Sequence, residues 1–351
     1  MNEEKIPVAK SRRIELTNKN NLPDIIVKAV SLDTYDGGTS DISVTTLTDS
    51  PQVRMLKKQN KVTPDVSDLL WAVMGTAIHT MLEFAEYENY EVKTIKQASD
   101  ILSRHKQQKA ADWMDKFVDQ TFPEHINNKV IQEKRLHIEV DGMSISGKFD
   151  RYDIKEKLLT DFKSVSAWIW LNKEEQTKYI YQLSIYAYML RQYGFEVDKA
   201  RIVFIFRDWK SIEAIRNKDY PKAMAQELEI PLMSNEETEA YIKKRVQLHK
   251  LAEQGTQVDC TDKEMWSTAD SFKIYKKKKG ILGKKAIPNG IHTSYESALA
   301  FKNKVQVGLL DELVIKHIPS DRKRCSMYCS VNKFCPQYQE FINNKSKDTE
   351  L

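Results

Sequence analysis

No stretch of this 351-residue sequence approaches an uninterrupted apolar run of about 18 residues, the length a membrane-crossing helix requires. A helical membrane span is therefore not expected. The N-terminus, MNEEKIPVAKSRRIE, lacks the apolar centre of a secretory signal, so the chain is expected to stay in the cytoplasm. Cysteine is scarce: there are four, and none precedes Cys260. Three of them crowd together as Cys325-x3-Cys329-x5-Cys335. In a reducing compartment that crowding points to metal ligation rather than to disulfides. No internal repeat is visible, and no sequence-reading DNA module, so sequence-specific cleavage is not supported.

What the chain does contain is enough apolar residue, 41%, for a real core, with 30% charged residues to keep it soluble. Its length predicts one large domain or a core with an appended lobe. A net charge of +5 and a pI near 8.7 permit a polyanionic partner without demanding one.

Periodicity divides the sequence. Residues 1–41 read as a loose N-terminal segment with strand content near Ile25–Val30. A core is expected over 42–255, a C-terminal lobe with a lysine-rich loop and the cysteines over 256–340, and a disordered tail over 341–351. ISVTTLTDSPQVRMLKKQ, from Ile42, reads as a cap and a short helix, with Pro51 tolerated in its first turn. Residues 68–90 carry Leu69, Val73, Ile78, Met81, Leu82 and Ala85 at helical spacing, with Gly75 and His79 four apart. Lys-rich helical sequence follows at 95–120. At Arg135 the period changes. RLHIEV, MSISGKFDRYDI and LLTDFKSV alternate between turn signals and predict an antiparallel meander. Residues 173–193 return to helix, 200–206 read as a buried strand, and 233–253 as a long helix. A short helix over Tyr295–Val305 and a strand at LVIKHI precede the cysteines.

The stretch 147–188 is where chemistry concentrates. If the turn between the last two meander strands centres on Lys155–Glu156, Asp150 falls directly opposite Asp161. Cross-strand Cβ atoms are then about 4.5–5.5 Å apart, close enough for both carboxylates to share one Mg2+ or Mn2+. Lys163 points to the same face as Asp161. Two carboxylates this close repel unless a cation offsets them. A shifted turn would separate the pair and leave a surface hairpin with solvated acids.

The order of the whole set resembles the PD-(D/E)XK nuclease superfamily, and within it the RecB-like exonuclease branch. The matching positions are His79 in GTAIHTMLE, Asp150 in GKFD, Asp161 and Lys163 in DFK, and Gln182 and Tyr186 in QLSIY. The upstream SVTTLTDSPQVRML looks like the segment that opens these domains. The likeness covers about residues 42–207. The second acid here is Asp where Glu is frequent. The resemblance implies an α/β (α+β) fold with a restriction-endonuclease-like core, a central mixed sheet flanked by helices, and a cysteine-clamped C-terminal segment. It implies a metal-dependent deoxyribonuclease, an exonuclease in DNA recombination or processing. The alternatives are a structure-specific endonuclease on the same core and a non-catalytic DNA-binding subunit.

By the same resemblance, His79, Asp150, Asp161 and the backbone carbonyl of Phe162 are metal ligands, and Lys163 is the catalytic lysine. Gln182 and Tyr186 contact the DNA backbone or orient Lys163, with Glu133 as a supporting acid. His79 also reads as a buried histidine satisfied by the core. Tyr186 also reads as part of an apolar-aromatic stripe with Tyr179, Leu183 and Leu190.

The CSMYCSVNKFCPQY end resembles the iron–sulfur variants of these nucleases, which implies a 4Fe–4S cluster on Cys260, Cys325, Cys329 and Cys335. Structural Zn2+ is the alternative, with His317 in place of Cys260 if that residue is excluded. The first gap is three residues where two is usual, and the fourth cysteine does not precede the core. DNA, as linear duplex or single strand, is the expected partner, with a single-strand-binding or annealing protein beside it. Candidate contacts are Trp168 and Trp170, which could stack on bases or pack inward, and Lys276, Lys277, Lys278 and Lys279, which with Lys273, Lys284 and Lys285 form the densest positive run.

Overall fold

The computed structural model of the chain describes residues 14–31, 40–85, 99, 130–305 and 311–349. They fall into two units, one comprising residues up to Asp49 together with Val62–Gly255, the other Ser50–Lys61 together with Thr256–Leu351. Residues 50–61, expected in the core, group with the second unit.

In the first unit the segment near Ile25–Val30 is a helix, Asp24–Val30, and not a strand. Pro23, whose locked φ suits a helix start, precedes it, and Asp24 lies in its first turn; these signals outweigh the β-branched residues that follow. After the short strand β1 (Ile42–Ser43), Ser43 caps the helix Val44–Leu47 by accepting the Thr46 N–H at 3.2 Å. The helix Val66–Ala85 matches the expected helix over 68–90 as far as Ala85. Residues 86–90, and the helical sequence expected at 95–120 apart from Ser99, lie outside the described residues. The stripe expected to face the core is incompletely buried, with Val73 and Met81 exposed.

The alternation that starts near Arg135 forms one long hairpin with a bend in it. β2 (Val130–Gln132) and β3 (Arg135–Val140) run out, and β4 (Met143–Lys148) and β5 (Arg151–Asp153) return. Asp141 and Gly142, both at positive φ, make the turn. The antiparallel register is continuous from Val140 opposite Met143 to Val130 opposite Asp153. At the bend the arms part into different sheets. β1, β4 and β3 form one of three strands; β2, β5, β6 (Leu158–Val165), β7 (Lys199–Phe206) and β8 (Ala225–Ile230) form the other, of five.

β6 pairs antiparallel with β5 and parallel with β7, so the larger sheet is mixed. The parallel step needs a crossover, supplied by the helix Thr177–Gln192. β7 is interior, flanked by β6 and β8, and buries Ala200, Ile202, Phe204 and Phe206, as its apolar run predicts. The helix Asn235–Glu253 opens on a capping box made by Ser234 and Glu237. The core of this unit joins Leu47, Ile145, Phe149, Leu159, Leu183 and Ile202.

In the second unit Ser50 caps the helix Pro51–Gln59, with Pro51 in its first turn as expected. The lysine-rich stretch is not a loop. After β9 (Ser267–Thr268) it forms the hairpin of β10 (Ser271–Lys278) and β11 (Ile281–His292), turning through Lys279 and Gly280 at positive φ. β12 (Asp311–Ile318) completes a three-stranded sheet, and β13 (Asp321–Arg322) pairs with β9. Ala298 of the helix Tyr295–Lys302 packs on Ile274 and Leu313. The tail expected to be disordered is largely helical, Pro336–Thr349. Tyr338 stacks on Phe341, over which Arg322 also lies, 4.5 Å from the ring centroid. No helix among the described residues is long and apolar enough to cross a membrane.

Candidate active site

The bend in the hairpin brings acids to the histidine. Glu133 takes φ 48° between β2 and β3, and its N–H donates to the Asp150 carbonyl at 2.9 Å. Nδ1 of His79 lies 3.5 Å from Asp150 Oδ1 and 3.8 Å from Glu133 Oε1. One donor atom from each of the three lies within 4.8 Å of the other two, and among the described residues this is the one such grouping of metal-ligand side chains. Glu133 also meets Lys148 Nζ at 2.6 Å. Burial works against a charged imidazole, yet the carboxylates of Asp150 and Glu133 raise His79 to about 10. His79 is half-buried, and its ring sits edge-on to Phe162 at 6.2 Å, with acids on its polar side.

Beside this trio stands a buried ion pair. The β5–β6 register sets Arg151 opposite Thr160; carried one residue further, it sets Asp150 opposite Asp161. Asp161 is buried, and its Oδ2 meets Lys163 Nζ at 2.7 Å. Burial raises Asp161 to about 6, with Lys163 opposing and Asp150 adding to the rise. Burial alone would depress Lys163, but Asp161 and Asp150 outweigh it and hold the ammonium well above the usual lysine value. Asp150 stays below the ordinary carboxylate range despite its burial, because His79, Lys163 and the Phe162 N–H, donating at 2.7 Å, all favour its charge.

Tyr186 lies behind the pair and is itself buried, as are Tyr179, Leu183 and Leu190, so the stripe reading of this helix holds. Its hydroxyl accepts from Gln182 Nε2 at 3.3 Å. Burial raises the phenol's pKa, so it stays neutral, and it sits close enough to Asp161 and Lys163 to feel their charge. Gly147 lets the ring approach: a Cβ there would stand 2.6 Å from Tyr186 Cε1 and 2.8 Å from Val44 Cγ2. Sequence reasoning gave Glu133 only a supporting place and missed this role of Gly147. For Glu133 a signal existed, since a turn at Asp141–Gly142 sets Glu133 opposite Asp150.

The candidate DNA contacts separate. Trp168 opens the short helix Trp168–Leu171 and is 53% exposed. Trp170 packs edge-on against Phe204 and Phe206 instead. Of the lysines, Lys276 pairs with Asp311 at 2.6 Å and Lys277 with Glu312 at 3.1 Å, while Lys278 and Lys279 lie exposed at the hairpin tip.

In the second unit all four cysteines are free, and Cys260, Cys325 and Cys335 are buried. Burial pushes the Cys260 thiol up to about 12 and Cys325 to about 11. Ser50 Oγ lies 3.0 Å from Cys260 Sγ, and Gln52 Nε2 donates to Cys335 Sγ at 3.3 Å. His317, the alternative ligand, stacks on Phe272 and faces Asp270 at 3.5 Å.

The family model described as the PD-(D/E)XK nuclease superfamily matches residues 45–336. No curated protein matches the sequence. Among solved structures, the chain is similar to SSO0001 (14% identity, 67% of this chain and 87% of that one, TM-score 0.36). It is similar to a phage related exonuclease from Haemophilus somnus 129PT (17% identity, 41% and 71%, TM-score 0.25). A provisionally named exonuclease from Eubacterium rectale is a third (12% identity, 62% and 87%, TM-score 0.29). Likenesses this distant carry no argument about chemistry.

Proposed function

The chain belongs to the PD-(D/E)XK nuclease superfamily, and from that premise we propose that it is a divalent-metal-dependent DNA exonuclease. The observation that carries the reading is the meeting of His79, Glu133 and Asp150 beside the Asp161–Lys163 ion pair. An imidazole nitrogen among carboxylate oxygens is a donor set suited to Mg2+ or Mn2+. His79, Glu133 and Asp150 would hold the ion, with Asp161 and the Phe162 carbonyl joining them by the resemblance. When bound, the ion supplies positive charge to the scissile phosphate and acidifies water.

The chain's own groups do the rest. Lys163, protonated beside Asp161, donates to a phosphate oxygen and offsets the charge that grows there. Asp161 fixes the direction of that ammonium. Gln182 and Tyr186 brace Lys163 from behind; a buried tyrosine suits that role better than direct contact with the DNA backbone. The intact acid and lysine set speaks against a non-catalytic subunit. Exonuclease action rests on the resemblance of the ordered motifs to the RecB-like branch, as does a place in recombination or processing beside a single-strand-binding or annealing protein.

The four cysteines are proposed to hold a 4Fe–4S cluster that clamps the C-terminal segment within its unit. The donor set fits a soft metal centre: four free thiols, three of them shielded, on residues 260–335. Stoichiometric iron and sulfide in protein purified without air would support this; stoichiometric zinc would overturn it.

The reading is tested by digesting end-labelled linear DNA and circular DNA of the same sequence with Mg2+ or Mn2+. Loss of the linear form alone is expected. Cleavage of the circle would replace the exonuclease with an endonuclease.

A further inference from the structure

Trp71 and Arg207 lie far apart in sequence and meet, the guanidinium carbon lying over the indole 4.3 Å from its centroid. Trp71 is 54% exposed, and Arg207 is exposed too. An indole is the largest apolar surface a side chain can bury, so one turned to solvent on a helix leaves much of that gain unused. Asp208, next to Arg207, accepts the Ser166 hydroxyl at 2.6 Å and the Ala167 N–H at 2.7 Å, and with these the Arg207 charge helps hold its carboxyl below the ordinary range. The guanidinium itself lies over the aromatic face.

This pair is aligned with the active site. At one end of the helix Val66–Ala85, the His79 ring meets Phe162 of β6. At the other, Trp71 meets Arg207, whose N–H donates to the Val165 carbonyl at 2.9 Å, at the C-terminal end of β6. The helix thus runs along β6. Eight helical residues separate Trp71 from His79, about 12 Å at about 1.5 Å each. Three strand residues separate Phe162 from Val165, about 10 Å at about 3.3 Å each. The two paths agree. Trp168, also exposed, starts the helix just past the same strand end.

We propose that Trp71, backed by Arg207 and with Trp168 just past the end of β6, is a base-stacking subsite for single-stranded DNA, about 12 Å along the helix from His79. An aromatic face accepts any base, and a stacked guanidinium adds attraction for both base and phosphate. Such a subsite grips a strand without reading its sequence. The subsite rests on the nuclease reading.

The test measures binding of a labelled single-stranded oligonucleotide with Ca2+ in place of Mg2+, by fluorescence anisotropy, alongside cleavage of the same strand in Mg2+. Trp71→Leu keeps apolar bulk and removes the π-face; Trp71→Phe keeps a π-face. The leucine variant should bind at least about fivefold more weakly, with the phenylalanine variant close to wild type and a blunt duplex bound equally by all three. A leucine variant that binds the single strand as wild type does, while wild type cleaves, overturns the subsite alone. A wild type that neither binds nor cleaves DNA overturns the nuclease reading and the subsite with it.

Discussion

Glu133 and Asp150 stand opposite each other where the long hairpin bends, joined by the Glu133 N–H to the Asp150 carbonyl at 2.9 Å. On either side of them the register is regular; Gln132 faces Arg151 and Arg135 faces Lys148. The bend takes this one acidic pair out of both sheets and turns it to His79. Two carboxylates so placed repel unless positive charge lies between or beside them. Lys148 and a protonated His79 supply it without an ion, and a divalent ion bound to His79 would take the place of that proton.

Mn2+ should therefore raise the melting temperature of the protein, and a chelator should reverse the rise. At a metal concentration a hundredfold above Kd the gain is about 2.7 kcal/mol. Glu133→Gln should shrink the shift and His79→Ala should shrink it further. A full shift in Glu133→Gln would remove that residue from the ligand set.

The Asp161–Lys163 pair is buried, so breaking it from one side is costly. Lys163→Met strands a buried carboxylate and should lose about 3 kcal/mol in urea unfolding. Asp161→Asn in the same chain should return most of that stability while cleavage stays absent. Recovery of cleavage in the double variant would take the pair out of the chemistry.

Gly147→Ala should destabilise the first unit by about 1–3 kcal/mol, because the new Cβ overlaps the Tyr186 ring and Val44. The ring must shift, so Lys163 loses its brace and the cleavage rate should fall as well. An unchanged denaturation midpoint would show that the helix Thr177–Gln192 yields easily there.

Asp65 ties the start of the helix that carries Trp71 and His79. Its carboxylate accepts the Lys19 N–H at 2.9 Å, the Ser67 N–H at 3.0 Å and the Thr17 hydroxyl at 2.8 Å, which hold it well below the usual aspartate value. An acid depressed in the folded state adds stability above its unfolded pKa of about 3.9, and that stability is lost as the pH falls further. The stability gap between wild type and Asp65→Asn should thus be full at neutral pH and close in acid. A gap that persists unchanged at the lowest pH would contradict the assignment.

Much of this site could be read in the chain because short-range geometry builds it. A hairpin centred on Lys155–Glu156 is what β5 and β6 form, so Asp150 and Asp161 face each other as the alternation implies. Other features depend on tertiary placement. Nothing in the period of MSISGKFDRYDI shows that it breaks at Phe149–Asp150 and serves two sheets, the break that recruits Glu133. Trp168 and Trp170 have the same local chemistry, and only the neighbouring Phe204 and Phe206 decide which one packs inward. Lysine content suggested a loop at 273–285, but antiparallel pairing of β10 with β11 makes it a hairpin, and pairing of β10 with β12, with Lys276 reaching across to Asp311, holds it in a sheet. The tail reads as polar, yet Tyr338 and Phe341 give its helix a face to pack.

The most direct measurement is Mg2+- or Mn2+-dependent release of nucleotides from end-labelled linear DNA by wild type, Asp150→Ala and Lys163→Ala, with DNA binding followed in parallel. Wild type should digest the DNA only with the ion present, and both variants should bind it and leave it intact. Digestion by either variant at the wild-type rate would contradict the assignment of the site.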